Sequence, residues 1–235
     1  MLFRHIITAL AVAFMALGLQ AQPPKDWANH RRYAAKNDTV STRPAAVLMG
    51  NSITDFWVRY RPQFFADNRL VGRGISGQVS GQMLCRMQAD VVALHPRVVV
   101  IMAGINDLCL NQGPTQPEYV VENLRSMAEI AVANGIIPII CSVTPAHKAT
   151  WRPELVDLAG QVRHLNELIV KMCHDRGYRY LNYYDALATP AEAQTPDAPA
   201  GSMNPAYTND ALHPNPAGYT VTEPLLLQAL KQATD

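Results

Sequence analysis
Five short runs, at residues 45–49, 70–72, 98–102, 136–141 and 178–181, are dominated by apolar residues, and several are apolar without interruption. Strands covered on both faces read this way, because neither face has to meet water. The segments between them, at 56–66, 79–94, 117–134 and 152–176, and a last one at 216–231, carry helical spacing instead. Strand-like and helical segments that alternate along one chain leave few architectures open. They predict a single parallel sheet sandwiched by helices. Residues 28–35 add a short leading helix, and no internal repeat is present.

Punctuation refines this picture. Asn215-Pro216 reads as an N-cap followed by proline at the first helical position, and Pro224 is expected to kink or restart the helix that follows. Residues 189–209 are rich in proline, alanine and small polar residues and have no period, so they form a long surface loop. Because that loop leads straight into Asp210, it is either one wall of a cleft or a plain connector.

Apolar residues make up 49% of the 235, ample for a sizeable core. Residues 1–21 read as a secretory signal, with Arg4 and His5 ahead of an apolar run that is too short for a typical membrane span; the alternative is an uncleaved anchor helix. Its removal takes away Arg4 and no acidic residue, which leaves 19 Lys+Arg against 19 Asp+Glu. Such a balance gives no electrostatic reason to expect nucleic acid or an acidic membrane surface, and stable membrane insertion of the mature chain is not expected. Residues 22–235 suffice for one domain and are few for two. Four cysteines, Cys85, Cys109, Cys141 and Cys173, allow three pairings if all are bridged, but a domain of this size does not need bridges, and buried thiols are the plainer expectation. No cysteine or histidine spacing suggests a metal site.

Chemistry concentrates in four pieces. Asp210 stands three residues before His213, so a carboxylate can share one turn with an imidazole, accept its Nδ1–H and leave Nε2 free. Ser52, in Gly50-Asn51-Ser52, follows the first predicted strand. Gly74-Ile75-Ser76-Gly77 follows the second and Gly104-Ile105-Asn106-Asp107 the third. All three therefore lie on loops at the carboxyl edge of the sheet, where open α/β folds place their ligands.

Plainer readings compete with each piece. Ser52-Ile53-Thr54-Asp55 also fits a helix cap, and Asn106-Asp107 also fits a turn, in which Asp107 is structural. Gly72-Arg73-Gly74-Ile75-Ser76-Gly77 satisfies the glycine pattern of dinucleotide sites. It follows the second strand rather than the first, however, and the acidic residue expected at the end of the next strand is missing. His30, His95, His164 and His174 fall on presumed helices or their ends and are expected at the surface or in packing.

Taken together, the four blocks resemble those of the SGNH (GDSL-like) esterase and lipase family, in the family's order, from about residue 45 to the C-terminus. The resemblance implies a flavodoxin-like three-layer α/β/α sandwich with a five-stranded parallel sheet, the SGNH hydrolase fold. It implies Ser52 as nucleophile, His213 as general base and Asp210 as its orienting partner. The Ser52 and Gly77 backbone N–H groups and the Asn106 amide would then form the oxyanion hole, with no metal or organic cofactor required. One departure is Asn51, where the family has aspartate; Asn makes the same local turn bonds. His147, Trp151 and Arg152, in the loop after the fourth strand, are candidate substrate contacts. The expected activity is that of a secreted serine ester hydrolase, periplasmic or extracellular, that removes acetyl groups from carbohydrate esters. A lipid-directed esterase is the alternative, and a flavodoxin-like binding module without catalysis is a reading of another class.

Overall fold
The computed structural model describes residues 26–235, so the signal-peptide reading of residues 1–21 falls outside it. Five parallel strands, β1 (Ala46–Gly50), β2 (Leu70–Gly74), β3 (Val98–Ile101), β4 (Ile137–Cys141) and β5 (Arg179–Leu181), pair in the order β2-β1-β3-β4-β5. This five-stranded parallel sheet is the one that the resemblance implies. β1 and β3 are buried along their whole length, which explains why both read as unbroken apolar runs. The strand order reverses beside β1, so a crevice opens at the carboxyl ends of β1 and β3.

The helices are α1 (Ala34–Asn37), α2 (Ser52–Tyr60), α3 (Pro62–Asp67), α4 (Ser80–Cys85), α5 (Met87–Asp90), α6 (Ile105–Leu108), α7 (Pro117–Ala133), α8 (Leu158–Arg176), α9 (Tyr184–Leu187) and α10 (Pro216–Thr234). Several depart from the expected spans for local reasons. The helix expected at 56–66 begins at Ser52, because Asn51 caps it by accepting the Ile53 N–H. It then breaks at Arg61, which Pro62 excludes from helical geometry. The helix expected at 79–94 breaks at Arg86, whose side chain is drawn wholly inside. α8 starts at Leu158 rather than Arg152, because Asp157 is its N-cap and accepts the Gly160 N–H. In place of one leading helix there is a 3-10 turn at His30–Arg32 followed by α1.

Pro224 does not interrupt α10. It lies on the exposed face, so the Thr220 carbonyl that loses its partner can meet water, while Tyr219, Thr222 and Leu226 pack inward. Cys109, Cys141 and Cys173 are free and buried, whereas Cys85 is free and exposed at the end of α4. His30, His95, His164 and His174 are exposed. Among the described residues, no helix is long and apolar enough to cross a membrane.

The most unusual feature of the interior is Arg86, which is fully buried. Its Nη1 pairs with Asp90 at 2.9 Å and its Nε donates to Gln78 at 2.7 Å, while Nη2 donates to the Gly50 and Arg73 carbonyls at 3.0 and 2.7 Å. Burial pulls the guanidinium pKa below its ordinary value, and the hydrogen bond and charge of Asp90 oppose that shift. Replacing Arg86 by Ala would leave Asp90 buried with no counter-charge bonded to it, only the Asn37 amide at 2.7 Å, and two carbonyls each short of a donor. Urea unfolding of Arg86→Ala is expected to show a loss of about 3–5 kcal/mol.

Candidate active site
Ser52 opens α2 immediately after β1, and the turn that carries it is tight. A methyl group on Gly74 would lie 2.3 Å from the Asp55 nitrogen and 2.6 Å from the Asn51 carbonyl oxygen, so only glycine lets β2 approach this backbone. Ser52 Oγ lies 2.9 Å from Nε2 of His213, and Nδ1 of the same ring lies 2.6 Å from Oδ2 of Asp210. A hydroxyl, an imidazole and a carboxylate thus form one continuous hydrogen-bonded chain across 161 positions of sequence.

The tail turn is pre-set by Asp210 itself. Its Oδ1 accepts the Leu212 and His213 backbone N–H groups at 3.0 and 2.7 Å, which holds Ala211 in the left-handed region at φ 67°. Partial burial works to raise the Asp210 pKa, but the hydrogen bonds from His213 and Leu212 win and hold it below the ordinary carboxylate value. The carboxylate therefore stays ionised beside the ring, and its stabilising effect fades only as pH falls through that depressed value. Phe56, with its ring centroid 5.0 Å from that of His213, and Trp151, at 6.4 Å, fix the position of the imidazole.

Facing Ser52 are the loops after β2 and β3. Gly77 takes φ 80°, a conformation glycine adopts freely. Asn106 is buried; one Nδ2 hydrogen goes to the Gln78 carbonyl at 2.9 Å, which leaves the other for a ligand. Among the described residues, neither the Ser52 nor the Gly77 backbone N–H has an acceptor. Asp107 is structural and accepts both the N–H and the hydroxyl of Ser80. Burial raises its pKa, and the Ser80 bonds partly offset this.

Asn111 was not singled out by the sequence, yet it ties the site together. Its amide donates to the Gly77 carbonyl at 3.2 Å and to Oδ1 of Asn106 at 3.0 Å, and its own oxygen accepts Nε1–H of Trp151 at 3.2 Å. No local pattern distinguishes this asparagine from an ordinary turn residue. The three candidate substrate contacts separate. Trp151 is exposed beside His213. His147 lines a cleft of about 400 Å³ that adjoins Asp210, and its buried Nδ1 has no partner among the described residues. Its burial, helped by Lys148 and opposed by Asp197, lowers its pKa and so favours the neutral ring. Arg152 is different: its guanidinium donates to the Cys109 and Leu110 carbonyls at 2.9 and 2.6 Å and pairs with Glu154 at 3.2 Å, so it braces the loop.

Residues 189–209 are a wall and not a loose connector. The Thr189 and Ser202 hydroxyls bond at 2.8 Å, Ala188 bridges Met203, and Asp197, Met203 and Pro205 line the cleft. No group of acidic, histidine or cysteine side chains that could hold a metal ion occurs among the described residues.

A parallel α/β sheet with a serine–histidine–aspartate chain and converging donors at its carboxyl edge defines a hydrolase. The model of the GDSL-like lipase/acylhydrolase family matches residues 48–221, and the chain belongs to that family. It is an ester hydrolase. A GDSL-like lipase from Bacteroides thetaiotaomicron is 39% identical, with a TM-score of 0.80 over 88% of this chain and 98% of that one. A proposed acylhydrolase from Bacteroides fragilis is 36% identical, with a TM-score of 0.83 over 90% of this chain and 100% of that one. An acetyl xylan esterase, at 20% identity and a TM-score of 0.64 over 78% of this chain and 98% of that one, shares the fold. A search of curated proteins found no match.

Proposed function
We propose that Ser52 is the nucleophile of this ester hydrolase; the hydrogen-bonded chain from Ser52 through His213 to Asp210 carries that reading. Oγ attacks the ester carbonyl as Nε2 takes its proton. The oxyanion is held by the Ser52 and Gly77 N–H groups and the Asn106 amide. The alkoxide leaves with the proton from His213, and an acyl group stays on Ser52. Water, deprotonated by the same ring, then releases the acid and restores the serine. Asp210 remains a carboxylate throughout and stabilises the imidazolium.

Ser52→Ala and His213→Ala are expected to fold normally and to lose hydrolysis of 4-nitrophenyl acetate by several orders of magnitude, because the two act as one unit. Asp210→Ala should retain more. Asn106→Ala should lower kcat by about 10²–10³ with little change in KM. Near-native turnover by Ser52→Ala would overturn the mechanism.

The substrate we propose is a short acyl ester, acetate foremost, on a carbohydrate. The cleft beside Asp210 carries His147, Lys148, Thr150, Asp197 and Asn209 alongside Met203, Pro205 and Ala211, and those polar groups can hydrogen-bond a hydroxylated alcohol. Trp151 offers an exposed ring beside the histidine. On this reading kcat/KM falls steeply from acetyl to octanoyl esters, and acetylated oligosaccharides release acetate. Better turnover of lysophospholipids or long-chain esters, with no acetate from any glycan, would assign the lipid-directed activity instead.

Export belongs to the same proposal, since polymeric glycans are met outside the cytoplasm. Expressed in a bacterium with its native N-terminus, the protein should be recovered outside the cytoplasm beginning near Gln22, as read by N-terminal sequencing. Recovery in the membrane fraction with residues 1–21 retained would favour an anchor.

A further inference from the structure
Two exposed tryptophans flank the oxyanion side of the site, and both are held by one turn. Trp151 donates its indole N–H to Asn111, and Trp27 donates its own to Oε1 of Gln112 at 3.0 Å. The acceptors are consecutive residues, whose Cα atoms lie about 3.8 Å apart. Each ring therefore has its one polar group satisfied by protein and has only apolar surface left to offer. Trp27 is 42% exposed and Trp151 44%, although an indole of this area would ordinarily gain by burial.

Trp27 is not a loose end of chain. Gln82 donates to its carbonyl at 2.7 Å and Gln78 donates to the Ala28 carbonyl at 2.7 Å. The Asp26 carboxylate accepts the His30 and Arg31 N–H groups at 2.9 and 3.1 Å and closes the turn. Gln78 is also the residue whose carbonyl accepts the Asn106 amide, so the clamp that fixes Trp27 is continuous with the loop that carries Gly77. The rim accordingly runs from His213 through Trp151, Asn111 and Gln112 to Trp27. A ring held rigid, with its donor occupied and its apolar surface in water, is preorganised to stack on a partner that is flat, apolar on its faces and polar at its edges. A pyranose ring has that surface, and its hydroxyls can stay in water while it stacks.

We infer that Trp27 forms a distal sugar-binding subsite, so that the enzyme takes an acylated oligosaccharide chain, with the acylated residue at Trp151 and a residue further along the chain at Trp27. This inference rests on the carbohydrate-ester reading above. It makes the physiological alcohol a glycan of several residues and not a monosaccharide.

The test compares native enzyme, Trp27→Ala and Trp27→Tyr on three probes: 4-nitrophenyl acetate, an acetylated monosaccharide and an acetylated xylo-oligosaccharide of four or more residues. Trp27→Ala is expected to raise KM for the oligosaccharide about three- to tenfold, the range of one aromatic contact, and to leave the two small esters unchanged. Trp27→Tyr should restore most of the affinity. Unchanged kinetics on the small esters also show that the variant is folded. Equal turnover of the oligosaccharide by native enzyme and Trp27→Ala would overturn the subsite and leave the carbohydrate reading intact. A parallel loss on 4-nitrophenyl acetate would overturn it too, by making Trp27 a brace of the Gly77 loop. If native enzyme released no acetate from either sugar ester, the carbohydrate reading would fail and the subsite with it.

Discussion
The buried guanidinium of Arg86 is the contact on which the geometry of the active site depends. A charge taken wholly out of water is costly unless its donors are satisfied. Here four of them are engaged, by Asp90, Gln78 and the carbonyls of Gly50 and Arg73. Gly50 and Arg73 stand at the carboxyl ends of β1 and β2, one residue ahead of the Asn51-Ser52 cap and of Gly74 respectively, and Gln78 follows Gly77. One side chain thus sets the distance between the strand end that carries the serine and the loop that carries a candidate oxyanion donor. A hydrophobic residue could fill the volume, but it could not fix two carbonyls and a glutamine at once.

His213 arrives from the other end of the chain, and its placement depends on packing. α10, which follows it, is pinned where α2 meets α3. Tyr219 donates to the Ile53 carbonyl at 2.7 Å and stacks on Trp57, while Arg61 holds Glu223 through two bonds of 2.7 and 2.9 Å. Those contacts tie the first residues of the last helix to the helix that begins at Ser52. The imidazole between Phe56 and Trp151 then has little freedom to leave the serine. Preorganisation of this kind spares the reaction the cost of orienting its base at the moment of attack.

The sheet was legible because its signal is local: the central strands β1 and β3, buried on both faces, are apolar throughout, and all five strands lie within two residues of the runs that announced them. The four blocks were legible as well, since each is a short pattern at a strand end or in the tail, and the fold brings Ser52, Gly77, Asn106, Asp210 and His213 to one edge. Helix ends were less so. The break at Arg86 reflects a side chain turned toward partners distant in sequence, and the late start of α8 turns on which of several polar residues is the cap. Asn111 and Trp27 carried no signal at all, because the Gly77 carbonyl and the Gln112 side chain that they bond lie 34 and 85 positions away. Arg152 shows the converse. A cation in a cleft-side loop invites a ligand, yet two backbone carbonyls and Glu154 already accept from it.

The two sides of the site therefore differ in what change they tolerate. The strand ends, Asn106, Gln78 and Arg86 form a network of mutually bonded buried groups, open only at the donors that face the serine, and altering one member strands another in a buried place. The rim is different: the Trp27 and Trp151 side chains are held by single indole bonds to Gln112 and Asn111, and the 189–209 wall is stapled to itself through Thr189 and Ser202. Residues that touch solvent on one side can be exchanged at the cost of a contact and not of a buried polar group. Changes at the Trp27 end of the rim and in the 189–209 wall can then leave intact the hydrogen bonds that hold serine, histidine and amide in register, and on the proposed reading selectivity for the alcohol varies there.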